Sequence, residues 1–213
     1  MKHPPEADPT GRSEPVEREP TIEPTADFLA GLQKTRELLA AQGAVLGMIN
    51  QDRPLPEVLE AICHLVEGQI DGVLASVLLL DEAGEHLLHG AAPSLPADYC
   101  QAIHGHRIGV GVGSCGTAAA TGEPVIVEDI ATHPYWAPFK ELAYDTHGLA
   151  ACWSTPIRSY DRRVVATFAM YYKEPRAPSD HDRKLADLCG TLVAVAVNRA
   201  ADVQQLAAAS RRL

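Results

Sequence analysis

The residues of this chain whose types and spacing could support chemistry lie between positions 107 and 157. A glycine-rich stretch at 109–120 is predicted to turn sharply and then to open a short helix. Free amides at a helix N-terminus attract small anions and carboxylates, although glycine is equally needed in a tight turn that binds nothing. The candidate ligand-binding residues of this stretch are Ser114, Cys115, Gly116 and Thr117.

Two of the five cysteines, Cys115 and Cys152, are predicted to face the same side of a sheet. A helix start lowers the pKa of a thiol such as that of Cys115 and makes it nucleophilic. The pair is therefore either a redox couple or thiol sensor that also belongs to the candidate site, or two buried and inert thiols. The cysteines as a set are scattered and lack CxxC spacing, which argues against a structural zinc site and a secreted disulfide framework.

Aromatic residues cluster in the same stretch and are predicted to border a ligand cavity. Trp136, Phe139 and Trp153 form an apolar wall in this interpretation and ordinary core in the alternative. His133 and His147 flank the segment, and His147 joins the candidate ligand-binding residues. Histidine can ligate haem or a metal, but no paired spacing supports such a site, so we predict no metal and leave the cofactor unknown.

The composition places these residues in one globular domain with extra segments, at 213 residues and 46% hydrophobic content. A net charge of -10 gives no basic surface for nucleic acid or anionic membranes. The chain has no apolar run near the ~20 residues of a membrane span and no signal-peptide pattern. We therefore expect a cytoplasmic protein that binds neither nucleic acid nor membrane.

The chain divides into four predicted segments. Residues 1–25 are rich in proline and acidic side chains, cannot bury enough apolar surface to become ordered, and are predicted to be a disordered tail. Apolar residues at helical spacing predict an N-terminal helix over 26–52, to which the family resemblance described below assigns a signalling or dimerisation role. A near-heptad spacing predicts a long C-terminal helix over 179–213, which the same resemblance places on the sheet and at a dimer interface. The globular core is assigned to 53–178.

Apolar runs within the core pair into hairpins. The predicted hairpin strands are 73–80 with 85–91, and 149–157 with 163–172. From position 164 onward the last of these strands carries no charge on either face, which is typical of a central strand. Residues 104–106 are predicted to form a loop. Because helices bracket antiparallel strands, we predict an α+β fold.

These motifs, in this order, resemble a GAF domain, the small sensor fold of signalling proteins. They are GSCGTAA at 113–119, VEDI at 127–130, ACWSTPI at 151–157 and the strand at 165–172. The resemblance implies a six-stranded antiparallel sheet with the N- and C-terminal helices on one face. It also implies a ligand pocket with its cover on the other face, and pairing of the terminal helices between two subunits.

Named branches of the family match less well. Cyclic-nucleotide-binding GAF domains carry an Asn-Lys…Phe…Asp-Glu signature that this sequence lacks, and Cys63-His64 lies too early to attach a bilin. Free methionine-(R)-sulfoxide reductases share the Cys-Gly-Thr-Ala turn, in which Cys115 matches the motif cysteine. Their second cysteine would fall near Gly105, and their nucleophilic cysteine would fall beside Trp136, where this chain has no thiol.

The sequence therefore predicts a small-molecule-sensing regulatory domain. We expect a homodimer that signals through its terminal helices to a separate protein, and the residues do not name the ligand. The alternatives are a thiol-dependent reductase related to the methionine sulfoxide enzymes, a redox sensor that uses Cys115 and Cys152, and a ligand-free dimerisation scaffold.

Overall fold

The computed structural model describes residues 25–211, so the predicted disordered tail lies outside the described residues except for Thr25. Thirteen elements follow one another along this part of the chain. They are α1 (Ala26–Asn50), α2 (Leu55–Glu67), β1 (Leu74–Leu80), β2 (His86–Ala91), α3 (Ala97–Ile103), β3 (His106–Arg107), α4 (Gly113–Thr121), β4 (Val125–Val127), a 3-10 turn (Pro134–Trp136), a π-helical turn (Glu141–Thr146), β5 (Ala151–Arg158), β6 (Val164–Tyr172) and α5 (Asp180–Ser210).

The strands form a single six-stranded sheet in the order β3-β2-β1-β6-β5-β4. Every neighbouring pair is antiparallel. The uncharged strand β6 lies in the middle between β1 and β5, as its pattern predicted. The predicted loop at 104–106 is wrong at its end, because His106 and Arg107 pair with Leu87 and His86 as a short edge strand.

Both faces of the sheet are covered, and alternation along β6 divides its side chains between them. Phe168 and Tyr172 pack with α1, α2 and α5 in one apolar layer. Ala169 and Tyr171 pack in the opposite layer, beneath a set of short elements. We call these elements the cover: α3, α4 and residues 134–146. The predicted α+β class, with terminal helices on one face and a cover on the other, is confirmed.

The two terminal helices are only partly buried in the domain. Within α1 only Val45 and Ile49, near its C-terminal end, are buried. All of residues 201–211 are exposed. The apolar stripe of α5 divides between two surfaces. The members that pack into the sheet layer are Leu185, Cys189, Leu192 and Ala196; the members left exposed are Val195, Val203 and Leu206.

The start of α5 is fixed to the sheet by a buried carboxylate. Ser179 and Asp182 form a capping box, in which each side chain accepts a hydrogen bond from the other residue's backbone amide. The Asp182 carboxylate also accepts hydrogen bonds from Tyr172 OH at 3.2 Å and Arg176 Nη2 at 2.7 Å. Burial opposes the charge, but the bonds from Ser179 and the charge of Arg176 outweigh it and lower the pKa of Asp182. Within residues 25–211, no helix has the length and apolar character needed to cross a bilayer.

Candidate functional site

The glycine-rich stretch forms a turn that its own side chains hold in place. Gly111 and Gly113 have φ angles of 90° and 59°, in the left-handed region that favours glycine. Thr117 Oγ1 donates to the Gly113 carbonyl at 2.7 Å and accepts from the Gly111 amide at 3.1 Å. A Cβ atom at Gly116 would lie 2.8 Å from Cβ of Val112. The turn therefore has a structural role whether or not an anion binds there, and Thr117 acts within it.

The first turn of α4 borders a small cavity between the sheet and the cover. The free volume is about 40 Å³, slightly more than the roughly 30 Å³ that one water molecule occupies in the liquid. Most of the walls are apolar, while two tyrosines and a thiol supply polar groups. The lining residues are Leu78, Leu87, Tyr99, Ile103, His106, Val112, Gly113, Ser114, Cys115, Gly116, Trp136, Phe139 and Tyr171.

Ser114 joins three elements at the edge of this cavity. Its hydroxyl donates to the Cys152 carbonyl of β5 at 3.0 Å. It accepts a hydrogen bond from Trp136 Nε1, also at 3.0 Å. Because Ser114 and Trp136 are both buried, this bond satisfies an indole N–H that would otherwise lack a partner. Ser114 therefore ties the tryptophan of the cover to the sheet.

Aromatic rings form the outer wall of the cavity. Trp136 and Phe139 meet edge to face with ring centroids 6.5 Å apart, and His106 packs against the other side of Phe139 at 5.3 Å. The 3-10 turn that carries Trp136 is capped by His133, whose Nδ1 accepts from the Tyr135 amide at 3.2 Å. Trp136 and Phe139 belong to the cover, so a ligand larger than the present cavity would have to displace them.

The two predicted thiols do lie on the same side of the sheet, at different depths. Cys115 lines the cavity and is 8% exposed, whereas Cys152 is completely buried. The Cys115 sulfur lies 3.9 Å from the hydroxyl of Tyr171. Hydrogen bonding from Cys152 is the largest of several effects that lower the pKa of Cys115. Burial raises the pKa of Cys152, and the neighbouring Cys115 raises it further.

Three further buried hydroxyl side chains lie near Cys115 or its neighbour Tyr171. Ser154 and Thr167 also contribute hydrogen bonds that lower the pKa of Cys115. Among the described residues, neither hydroxyl has a hydrogen-bond partner in the structure. Ser76 donates to Tyr171 OH at 3.5 Å. Hydroxyl groups of β5 and β6 therefore act on the Cys115 sulfur from outside the cavity lining.

Two predicted site residues lie away from the cavity. Trp153 was expected in one wall with Trp136, but it follows Cys152 directly in β5 and therefore points to the opposite face. There it packs on Tyr172 at 4.4 Å between ring centroids, in the layer of the terminal helices. His147 follows the π-helical turn and lies behind the cavity, with Nε2 3.2 Å from Asp98 Oδ2.

Sequence reasoning identified part of the lining and missed the rest. The structure brings five predicted residues into the cavity wall: Ser114, Cys115, Gly116, Trp136 and Phe139. Tyr99 and Tyr171 were missed, although both are fully buried tyrosines that meet edge to face with centroids 6.0 Å apart. The alternation of β6 indicated a common face for Tyr171 and Thr167. Nothing in the sequence indicated that Tyr99 of α3 would meet them.

Comparisons with known proteins agree with this architecture. A family model described as the GAF domain matches residues 52–198. The methyl sulfide methyltransferase-associated sensor of Methanosarcina acetivorans is 35% identical over 165 residues, which are 78% of this chain and 16% of that protein. This chain therefore spans about a sixth of the length of that relative.

Solved structures show the same fold at low identity. The free methionine-R-sulfoxide reductase of Neisseria meningitidis, in complex with its substrate, superposes with a TM-score of 0.60 at 18% identity, covering 86% of this chain and 97% of that one. The GAF domain of a phosphoenolpyruvate-protein phosphotransferase from Coxiella burnetii gives 0.60 at 16% identity, covering 83% and 98%. At these identities the likeness concerns the fold alone.

Proposed function

Because this chain belongs to the GAF domain family, we propose that it is a regulatory module that binds a small molecule between the sheet and the cover. The observation that carries the proposal is the cavity itself, bordered by the first turn of α4 and by a cover that contacts the sheet through the Ser114–Trp136 hydrogen bond. The binding residues in this proposal are the lining residues named above, among them Ser114, Cys115, Gly116, Trp136 and Phe139.

The size of the cavity defines how binding would act on the protein. A volume of about 40 Å³ holds only a few atoms, whereas sites for larger organic ligands have ~300 Å³ or more. A metabolite of ordinary size therefore requires the Trp136–Phe139 wall to move outward. A ligand with affinity for the open form alone shifts the population toward that form. Binding would thus be converted directly into a change in the cover.

The sheet offers a physical connection from the cavity to the terminal helices. Tyr171 lines the cavity on one face, and its neighbour Tyr172 lies on the other face and donates to Asp182 at the start of α5. A shift of β6 at this point would move the N-terminal end of that helix. We propose that α1 and α5 pair with those of a second copy and pass the change to a separate signalling protein in the cytoplasm.

Tryptophan fluorescence tests the proposal, since the two tryptophans lie on opposite faces of the sheet. Trp153→Phe leaves Trp136 as the single reporter in the cavity wall, and Trp136→Phe leaves Trp153 as the matched control. We expect at least one member of a panel of free amino acids and small carboxylic acids to raise the thermal midpoint. That compound should change the emission of the W153F protein and leave that of W136F nearly unchanged.

A substitution that fills the cavity provides a second test of the same proposal. Ile103 lines the cavity at the end of α3, and its neighbour Ala102 is exposed. We expect Ile103→Trp to abolish the stabilisation by the active compound and Ala102→Trp to preserve it. Native mass spectrometry and an absorption spectrum of the purified protein would identify any ligand that co-purifies. Binding that survives the I103W substitution would contradict this location for the site.

A further inference from the structure

Cys115 differs from the other cysteines in what surrounds its sulfur atom. Cys63 and Cys189 lie in the apolar layer on the helical face, and burial raises the pKa of both thiols. Cys100 is the most accessible of the five cysteines, and partial burial raises its pKa as well. Cys115 alone has hydroxyl donors, a second thiol and a cavity around it.

The unpartnered hydroxyls of Ser154 and Thr167 point to a charged sulfur. A buried hydroxyl without a partner costs about 1–3 kcal/mol, and both of these are at most 1% exposed. Each would gain a partner if the Cys115 thiol became a thiolate, because a thiolate accepts hydrogen bonds far better than a thiol does. Tyr171 OH, 3.9 Å from the sulfur, is a further donor.

The neighbouring elements hold the residue that carries the second thiol against α4. Ser114, which precedes Cys115 in α4, donates to the carbonyl of Cys152 in β5 at 3.0 Å. Both sulfurs lie in the same buried layer. The cavity beside Cys115 has room for a molecule of about one to two water volumes. Hydrogen peroxide is of that size, whereas larger oxidants are not.

From this geometry we infer that Cys115 is a peroxide-reactive thiol and that Cys152 resolves its oxidised form to an internal disulfide. This adds a chemical input to the cavity and does not require the cavity to bind any other ligand. In the first step the Cys115 thiolate attacks one peroxide oxygen and the O–O bond breaks. Hydroxide leaves and takes a proton from solvent, so that sulfur is oxidised to sulfenic acid while the peroxide is reduced to water.

In the second step the sulfur of Cys152 attacks the sulfur of Cys115. The S–O bond breaks, the Cys152 proton leaves with hydroxide as a second water, and the S–S bond forms. Two equivalents of a low-molecular-weight thiol restore both cysteines by disulfide exchange and are themselves oxidised to a disulfide. Closing this bond would draw α4 toward β5 and shift Ser114, which holds Trp136 of the cover. Oxidation would therefore act on the same segment as a bound ligand.

The test treats the reduced 213-residue protein with hydrogen peroxide, blocks the remaining thiols and locates the products by mass spectrometry. Cleavage after Lys140 separates Cys115 from Cys152, so a disulfide between them links two peptides. We expect that linked pair as the first product, before any change at the more accessible Cys100. Cys152→Ser should stop at a Cys115 sulfenic acid that dimedone traps, and Cys115→Ser should leave Cys152 unoxidised.

A variant that keeps both thiols separates reactivity from folding. Ser154→Ala combined with Thr167→Val removes the unpartnered hydroxyls, and we expect it to slow peroxide reaction at Cys115 by about tenfold. The rate at Cys100 in the same protein is the internal control. Oxidation that starts at Cys100, or a wild-type Cys115 sulfenic acid that persists without the disulfide, would overturn the inference. Either result leaves the ligand titration with W153F unaffected, because that experiment is done on reduced protein.

Discussion

At the residue scale, a single serine hydroxyl joins the cover to the sheet. Ser114 accepts from the indole of Trp136 and donates to β5, and all three groups are buried. A bond between two such groups contributes little in water but is costly to leave unmade in the interior. Ser154 provides the contrast, since its buried hydroxyl has no partner among the described residues.

Replacing these two serines should have opposite consequences. We expect Ser114→Ala to lower the free energy of unfolding by about 1–3 kcal/mol, because Trp136 Nε1 is left buried without an acceptor. Ser154→Ala removes an unsatisfied group and should be neutral or slightly stabilising. Urea unfolding followed by circular dichroism measures both. Equal destabilisation of the two variants would mean that the Ser114 bond is not what holds the cover.

The error at Trp153 shows how much the sequence could predict about single residues. Cys152 and Trp153 are consecutive in a strand, so they cannot both face the cavity, and the pattern alone contained that information. The contact between Ser114 and Trp136 is different, because it joins residues 22 positions apart through a turn. No repeating pattern of apolar and polar residues predicts a contact of this kind. It follows from the path of the cover, which the sequence does not encode locally.

At the element scale, α5 depends on the carboxylate at its N-terminal end. Asp182 is 2% exposed and accepts bonds from the Ser179 backbone, the Ser179 hydroxyl, Tyr172 and Arg176. The guanidinium of Arg176 also lies 4.4 Å from the centroid of the Tyr172 ring. The group therefore connects the helix, the central strand and the linker between them.

Asp182→Asn should destabilise the protein by about 1–3 kcal/mol at neutral pH, since hydrogen bonds to a charged acceptor are lost. Folding lowers the pKa of Asp182, so its contribution is fully present above the unfolded value of about 3.9. It is lost as the pH falls through the lower folded value. The difference between wild type and variant should therefore shrink below about pH 4.

Asp180→Asn is the matched control for this prediction, because Asp180 is also an acidic residue of the first turn but is exposed. We expect it to cost only about 0.3–1 kcal/mol, the usual size of a charge–dipole interaction at a helix end. Urea unfolding at pH 7 and pH 3 compares the three proteins. A D182N effect as small as that of D180N would contradict the connecting role of this carboxylate.

The elements themselves were largely predictable, and the exceptions have physical causes. Turn residues and apolar runs predicted both hairpins, and the two terminal helices begin at residue types suited to capping, Thr25 and Ser179, each of which accepts a backbone hydrogen bond. Strand β3 was not predicted, because a strand of two residues is too short to show the alternation of apolar and polar side chains. The spacing of apolar residues predicted the stripe of α5 but not which part the sheet would cover, since a helix of 31 residues can bury one part of its stripe and leave another part exposed.

At the scale of the whole molecule, the exposed portions of the terminal helices leave apolar surface uncovered. Leu32 and Leu39 of α1 are seven residues apart and are 52% and 62% exposed. On α5, Val203 and Leu206 are exposed as well. Leucine at intervals of seven is the spacing of a coiled-coil seam. We expect these surfaces to pair in a homodimer.

Sedimentation equilibrium tests this expectation at micromolar concentration. Leu32→Glu with Leu39→Glu places two charges in the seam and should shift the protein to monomer. Gln33→Glu with Ala40→Glu adds two carboxylates at the neighbouring exposed positions and should leave the dimer intact. A wild-type protein that sediments as a monomer, or equal dissociation of both variants, would rule out this interface.

The two outermost strands of the sheet limit how another chain could add to it. Strand β3 has two residues and β4 has three. A strand from another chain would find at most two or three residues to pair with on either of them. Edge-to-edge addition at β3 or β4 would therefore be weak.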